Sequence, residues 1–218
     1  MNMKHILKTV LSAAAAFGVA ASAQAQYVNG DLLVGFRGGA TDFILDIGPY
    51  SSLTPGKSWT VGSNLGSEFG IVGSLNSGQR IYATSASATE NGFSPLGLFT
   101  AARADVATLG NGLTLGASRT VSPSETTSWT YQTARPAGSP GKSFENDFFN
   151  PNVSAGSVAY LFDNANNGTA TPANAFSYDA ISGTLKYEVI PEPGSWALLG
   201  IGVLALYGFR RRPSPATI

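Results

Sequence analysis

Apolar positions fall into three regimes along the chain. Val10–Ala21 is an apolar, small-residue run with Ser12 as an interruption. Residues 26–190 break into short apolar bursts separated by Gly, Ser, Asn and Pro. Residues 196–209 carry no charge. The bursts of the middle regime have the length of strands. Asp31-Leu-Leu-Val-Gly-Phe-Arg37 and Asp42-Phe-Ile-Leu-Asp-Ile47, with Gly38-Gly-Ala-Thr41 between them, predict a hairpin. Gln79–Thr84 and Ser157–Phe162 predict two further strands, and Leu113–Leu115 and Ser128–Gln132 two weaker ones. In Gly183–Ile190, Leu185, Tyr187 and Val189 alternate with Thr184, Lys186 and Glu188, the pattern of a half-buried last strand.

One helix is predicted, with Ser94 as its cap and Pro95 at its first position. Leu96, Phe99, Val106 and Leu109 share one face, and Gly110 is placed to end it. Ser63–Phe69 predicts a short helical turn, and Ser122–Glu125 and Ala134–Lys142 read as loops. The chain shows no exact internal repeat. The fold class expected is mainly β: a single sandwich-like domain over residues 26–188 with one packed helix. It is flanked by an N-terminal signal peptide and a C-terminal transmembrane helix.

Composition supports a strand-and-turn protein. Charged residues are 12% of the 218, about half the usual share, and there are 26 glycines. Apolar residues at 43% and aromatic residues at 11% suffice for a core. The absence of cysteine excludes disulfides, thiolate metal sites and cysteine nucleophiles. The single histidine, His5, lies in the N-terminal segment. Without it the remaining chain has no Ser-His-Asp catalysis and no histidine metal site. Between Gln26 and Ile190 twelve acidic side chains face eight basic ones, so nucleic acid is not an expected partner.

Residues 1–25 have the three parts of a secretory signal peptide. Lys4, His5 and Lys8 are the basic region, the apolar run follows, and Ala23-Gln24-Ala25 is an A-x-A site. Signal peptidase would cut between Ala25 and Gln26. The C-terminal end is tripartite as well. Pro191-Glu192-Pro193 is rigid and non-helical because each proline fixes φ and biases the residue before it. Trp196–Phe209 is an apolar helix of 14 residues, about 21 Å long against a hydrocarbon core of ~30 Å. Arg210, Arg211 and Arg212 would stay on the cytoplasmic side, leaving the body outside.

This combination of Val189-Ile-Pro-Glu-Pro-Gly-Ser195, apolar run and Arg210-Arg-Arg212 resembles the PEP-CTERM sorting domain of Gram-negative bacteria, here over residues 189–213. The same segment is also labelled an ice-binding protein C-terminal domain, and no ice-binding activity is drawn from that name. The resemblance implies a transient inner-membrane anchor and recognition of Pro191, Glu192 and Pro193 by an exosortase, which removes the tail. Release to the cell surface or extracellular matrix follows, often beside exopolysaccharide. An uncut single-span anchor is the plain alternative. The pattern of Gly30–Gly38 and Asp42–Gly48 is also similar to the start of other PEP-CTERM proteins and brings no activity with it.

Three features of the body invite chemistry. Asp42 and Asp46 share one strand face, as paired carboxylates for glycan cleavage would, although solvated or turn-bonded carboxylates are commoner. Asp163-Asn-Ala-Asn-Asn-Gly168 departs from a calcium loop at Ala165 and Asn174, and turn geometry accounts for it. Trp59, Tyr82, Trp129 and Tyr131 suit either a sugar-stacking face or a core. No catalytic residue, metal site or cofactor is assigned. The function expected is that of an exported, exosortase-sorted structural or adhesive protein, not an enzyme. The alternative is a carbohydrate-binding or glycan-cleaving exoprotein with the same tail.

Overall fold

The computed structural model describes residues 27–77, 79–88, 99–134, 150–163 and 174–189. Its strands are β1 (Asp31–Arg37), β2 (Asp42–Pro49), β3 (Ser58–Thr60), β4 (Glu68–Leu75), β5 (Arg80–Ser85), β6 (Ser118–Val121), β7 (Asn152–Ser154), β8 (Val158–Asp163), β9 (Asn174–Asp179) and β10 (Thr184–Val189). They form one ten-stranded sheet in the order β3-β10-β9-β8-β5-β4-β1-β2-β6, with β7 paired to β4 off this path. Helices α1 (Phe99–Gly110) and α2 (Trp129–Thr133) and a single 3-10 turn, Tyr50–Ser52, complete the described elements.

The protein is mainly β, as expected. In place of two facing sheets, one antiparallel sheet curls until its inner face packs on itself. Phe36 on β1 and Tyr178 on β9 have β4, β5 and β8 between them. On a flat sheet that separation is about 19 Å. Their ring centroids are 4.7 Å apart. The inner core holds Leu32, Val34, Phe36, Phe69, Ile71, Tyr82, Phe176, Tyr178, Leu185 and Tyr187 among others. Burying that much aromatic surface favours the curl, and the natural strand twist permits it.

The outer face of the central strands is covered as well. Leu33, Ile44, Val72, Ile81 and Ala83 pack under Ala102, Val106 and Leu109 of α1, with Leu113 and Trp129 beside them. The spacing of those three helix residues is one helical stripe. Strands buried on both faces read as apolar runs rather than alternations; β1, with six consecutive buried residues, is the case in point. Arg119 on β6 donates to the carbonyls of Leu109 and Asn111 at the C-terminal end of α1, where a cation is favoured.

Two junctions fix the layers. Gly35 on β1 lies directly opposite Gly70 on β4. The Trp129 ring fills the hollow above them: a Cβ on Gly35 would stand 1.8 Å from the indole. Trp129 is fully buried, and its Nε1 donates to Asn152 Oδ1 at 2.6 Å. Asn152 itself pairs with Gly70 in the β4–β7 ladder. The second junction is on β4, which pairs with β7 through Glu68–Gly70 and with β5 through Val72–Leu75. At the changeover the Thr84 hydroxyl accepts from Ile71 N at 2.8 Å and donates to Pro151 O at 2.7 Å. It stands in for the ladder bonds that the fork interrupts.

The local expectations divide. The β1–β2 hairpin, β5, β8, β10 and the helix up to Gly110 form where predicted; residues 89–98, including Ser94, Pro95 and Leu96, lie outside the described residues. Ser128–Gln132 is not a strand. Ser128 caps α2 by accepting from Tyr131 N, and Asp42 accepts from Thr130 N and Oγ1. These caps and the Gly35–Gly70 hollow outweigh the β propensity of Trp, Thr and Tyr. Ser63–Phe69 is not helical: bends lead into β4, whose Glu68 and Phe69 already pair with β1. Leu113–Leu115 lies in turns, with Leu113 buried and Leu115 exposed.

Thr84→Val keeps the side-chain shape and leaves Ile71 N and Pro151 O without their partner. A loss of about 1–3 kcal/mol is expected. Gly35→Ala, which displaces the indole, should cost more. Denaturant unfolding of both variants checks the ranking; a Gly35→Ala protein as stable as the parent would contradict the packing described.

Candidate functional site

Ala25, Gln26, Pro191, Glu192, Pro193, Arg210, Arg211, Arg212 and the apolar stretch 196–209, expected as a helix, lie outside the described residues. The residues that flank them are described. Tyr27, the first, is seated on the outer face. Its hydroxyl donates to Asp31 O at 2.9 Å and accepts from Ser74 N at 3.3 Å. Its ring occupies the space a Cβ on Gly110 would need. Burial pushes the phenol up to about 12. At the other end β10 stops at Val189, which pairs with Asn174 on β9 and is exposed. Both flanking segments therefore meet the described fold within two residues of sheet or core.

Asp42 and Asp46 do share the outer face, as their parity predicted, but they do not form a pair. Asp42 is fully buried and spends both oxygens on Thr130. Asp46 Oδ1 accepts from Gly48 N at 2.8 Å, and its Oδ2 is buried without a partner. Burial pushes the Asp46 carboxyl above the ordinary carboxylate range. The acid coupled to it is Asp31, which burial first and the neighbouring Asp46 second raise to about 6. Sequence reasoning missed this pair. The hairpin register carried the signal, because Asp46 lies opposite Leu33, two positions from Asp31 on the same face. A β-bulge between Leu32 and Leu33 shifts the register between them. Both carboxyls are covered: Asp31 is 3% exposed and Asp46 0%. A glycan cannot reach them in this conformation.

Asp163, the first residue of the calcium-like stretch, is engaged with Arg80 at 3.1 Å. Burial raises this carboxyl and Arg80 opposes the rise. Residues 164–170 lie outside the described residues. Among the described residues no group of three or more His, Cys, Asp or Glu is arranged to hold a metal.

The four aromatic candidates are not brought together. Trp129 is inside the outer layer. Tyr82 is in the inner core, stacked on Tyr50 at 4.5 Å. Trp59 is half-buried beside Phe176, with Lys57 Nζ 5.1 Å from its ring centroid. Tyr131 is half-buried on α2. These rings chiefly fill the two cores and do not form one stacking platform. A groove of about 430 Å³ runs along the outer side of the β9–β10 hairpin, past Ser177, Asp179, Thr184 and Lys186. Asp179 is held there by Ser182 Oγ and the Ile181 and Ser182 amides, which lower its carboxyl. That is a turn-stabilising arrangement, not a catalytic one.

Comparison with known proteins gives one finding. Residues 189–212 match the PEP-CTERM protein-sorting motif. The match takes in Pro191–Pro193 and Arg210–Arg212, and it marks an exported protein of the kind an exosortase processes and sorts to the cell surface. No curated protein and no solved structure matches the chain.

The Asp31–Asp46 pair makes stability depend on pH. An acid whose folded value is raised stabilises most when protonated. That contribution is complete below 3.8 and is lost as pH rises through about 6. Asp46→Asn keeps an acceptor for Gly48 N and removes one charge. A rise in Tm of about 2–4 °C at pH 7, with little gain at pH 4, is expected for a change of about 1 kcal/mol. Thermal unfolding of parent and variant across that range checks it; an unchanged pH slope would show that the pair is not coupled to folding.

Proposed function

We propose that this chain is an exosortase-sorted component of the cell surface or extracellular matrix that acts by structure or adhesion, without catalysis. One observation carries the reading: the sorting-motif match begins at residue 189, where the closing strand of the domain ends. The folded body and the address are joined with no intervening domain. The body adds support through where its reactive side chains go. Asp42 caps a helix, Asp163 pairs with Arg80, Asp31 and Asp46 are covered, and the large aromatic rings among the described residues are mostly core. In this reading signal peptidase releases Gln26 as the new N-terminus. The tail then holds the protein in the inner membrane until the exosortase cuts beside Pro191-Glu192-Pro193. An exopolysaccharide of the matrix is the polymer it would accompany.

Intact masses from membrane and extracellular fractions of the native host test the reading. The expected extracellular form begins at Gln26 and ends near Pro193. Glu192→Ala, and separately removal of residues 210–218, should leave export intact and trap the protein in the membrane fraction. Normal surface delivery of either variant would refute exosortase sorting. A glycan-array screen of the processed protein separates adhesion to sugar from a purely structural part.

A further inference from the structure

The two ends of the described fold leave from the same rim of the sheet. The ladder pairs establish this strand by strand. Val189 at the end of β10 pairs with Asn174, and Asn174 with Leu161 near the end of β8. β8 ends at Asp163, opposite Tyr82, next to Arg80 at the start of β5. Arg80 pairs with Leu75, the end of β4. Leu32, near the start of β1, pairs with Gly73 close to that end. Asp31 pairs with Pro49, the end of β2. Tyr27 and Val28 precede β1 on this rim, and the Tyr50–Ser52 turn follows β2 there, tied by Tyr50 N to Gly30 O. The loop before β3 closes the circuit, since Gly56 N donates to Tyr187 O. At the opposite rim lie Arg37, Thr41 and Asp42, Glu68, Ser157 and the Ile181–Gly183 turn.

Chain length limits how far this first rim can stand from a bilayer. Six residues, 190–195, separate Val189 from Trp196, where the apolar stretch begins. Fully extended, that connection spans roughly 25 Å. Before signal removal, Ala21 at the end of the N-terminal apolar run is also only six positions from Tyr27. Two short tethers thus leave one rim. Val28, Leu115 and Val189 are exposed there at 62%, 68% and 54%; Leu115 belongs to it because its side chain lies against Gly48. Tyr50 and Lys57 are half-buried at the same edge. Apolar, tyrosyl and lysyl side chains together suit the headgroup layer of a membrane.

We propose that this rim is the membrane-facing surface of the anchored protein, resting on the lipid headgroups through both processing steps. The inference rests on the tail acting as an anchor. It adds an orientation: strands stand upright on the bilayer, the Ile181–Gly183 turn points away, and both scissile regions lie between rim and membrane. Exposed Ile181 and Val158 at the far rim are then free for contacts outward.

The chain has no cysteine, so single cysteines report position directly. Ser51→Cys and Ser77→Cys mark the near rim; Thr41→Cys and Ser157→Cys mark the far one, and all four sites are exposed. Each full-length chain, carrying an environment-sensitive fluorophore, is reconstituted in phosphatidylethanolamine–phosphatidylglycerol vesicles containing a headgroup nitroxide. The rims are about 20 Å apart along strands of this length, so quenching at 51 and 77 should exceed that at 41 and 157 by at least about twofold. A long Gly-Ser insertion after Val189, in chains also lacking residues 1–25, should reduce the difference. Chains that float with the vesicles yet show equal quenching at both rims overturn the orientation alone. Chains that do not float overturn the anchor and the orientation together.

Discussion

Close contact between the Trp129 indole and the Gly35–Gly70 pair is the constraint on which the outer layer depends. Two glycines opposite each other leave a hollow in the sheet and weaken both strands. An aromatic ring laid over them restores the lost packing. The ring must arrive from outside the sheet, so the chain supplies a short capped helix to carry it. Asp42 and Ser128 then hold that helix, and Asn152 ties the indole to β7. Asn152 would lose its partner if the ring moved, and Asp42, far away in sequence, holds Thr130 on the helix that carries the ring.

The sheet is buried on both sides at its centre, and this determines what is left for function. The inner face curls to bring Phe36, Phe69 and Tyr178 together. The outer face is closed by α1 and Trp129. Among the described residues, a body of low charge with many small residues thus encloses most of its aromatic side chains. What the described residues present outward is mainly loops, short edge strands and a few isolated apolar side chains. Such a surface fits a protein whose address is its most specific feature, and the match to the sorting motif agrees with that.

Much of this was legible in the sequence where one physical signal acted alone. The β1–β2 hairpin announced itself by two apolar runs around a glycine-rich loop, and β10 by strict alternation. The tail's two prolines, apolar run and arginines were legible because a sorting motif is a local sequence pattern, and residues 189–212 match it. The signal failed where partners were distant. β4 was hidden because Gly70 and Gly73 interrupt its apolar pattern, and their reason lies in Trp129, Pro151 and Leu32. Trp129–Gln132 looked like strand because propensity cannot see the hollow it fills. Asp46 was noticed beside Asp42, but its true neighbour, Asp31, emerged only with the bulged register.

The end of β10 also has a mechanical meaning. Tension on the tail, from a membrane segment or from an enzyme drawing on it, runs along the strand. Ladder hydrogen bonds in an antiparallel sheet lie across that direction. Six pairs with β9 and three with β3 therefore share the load in shear at once, rather than opening one by one. The domain is connected to its address in the geometry that best resists being pulled apart from it.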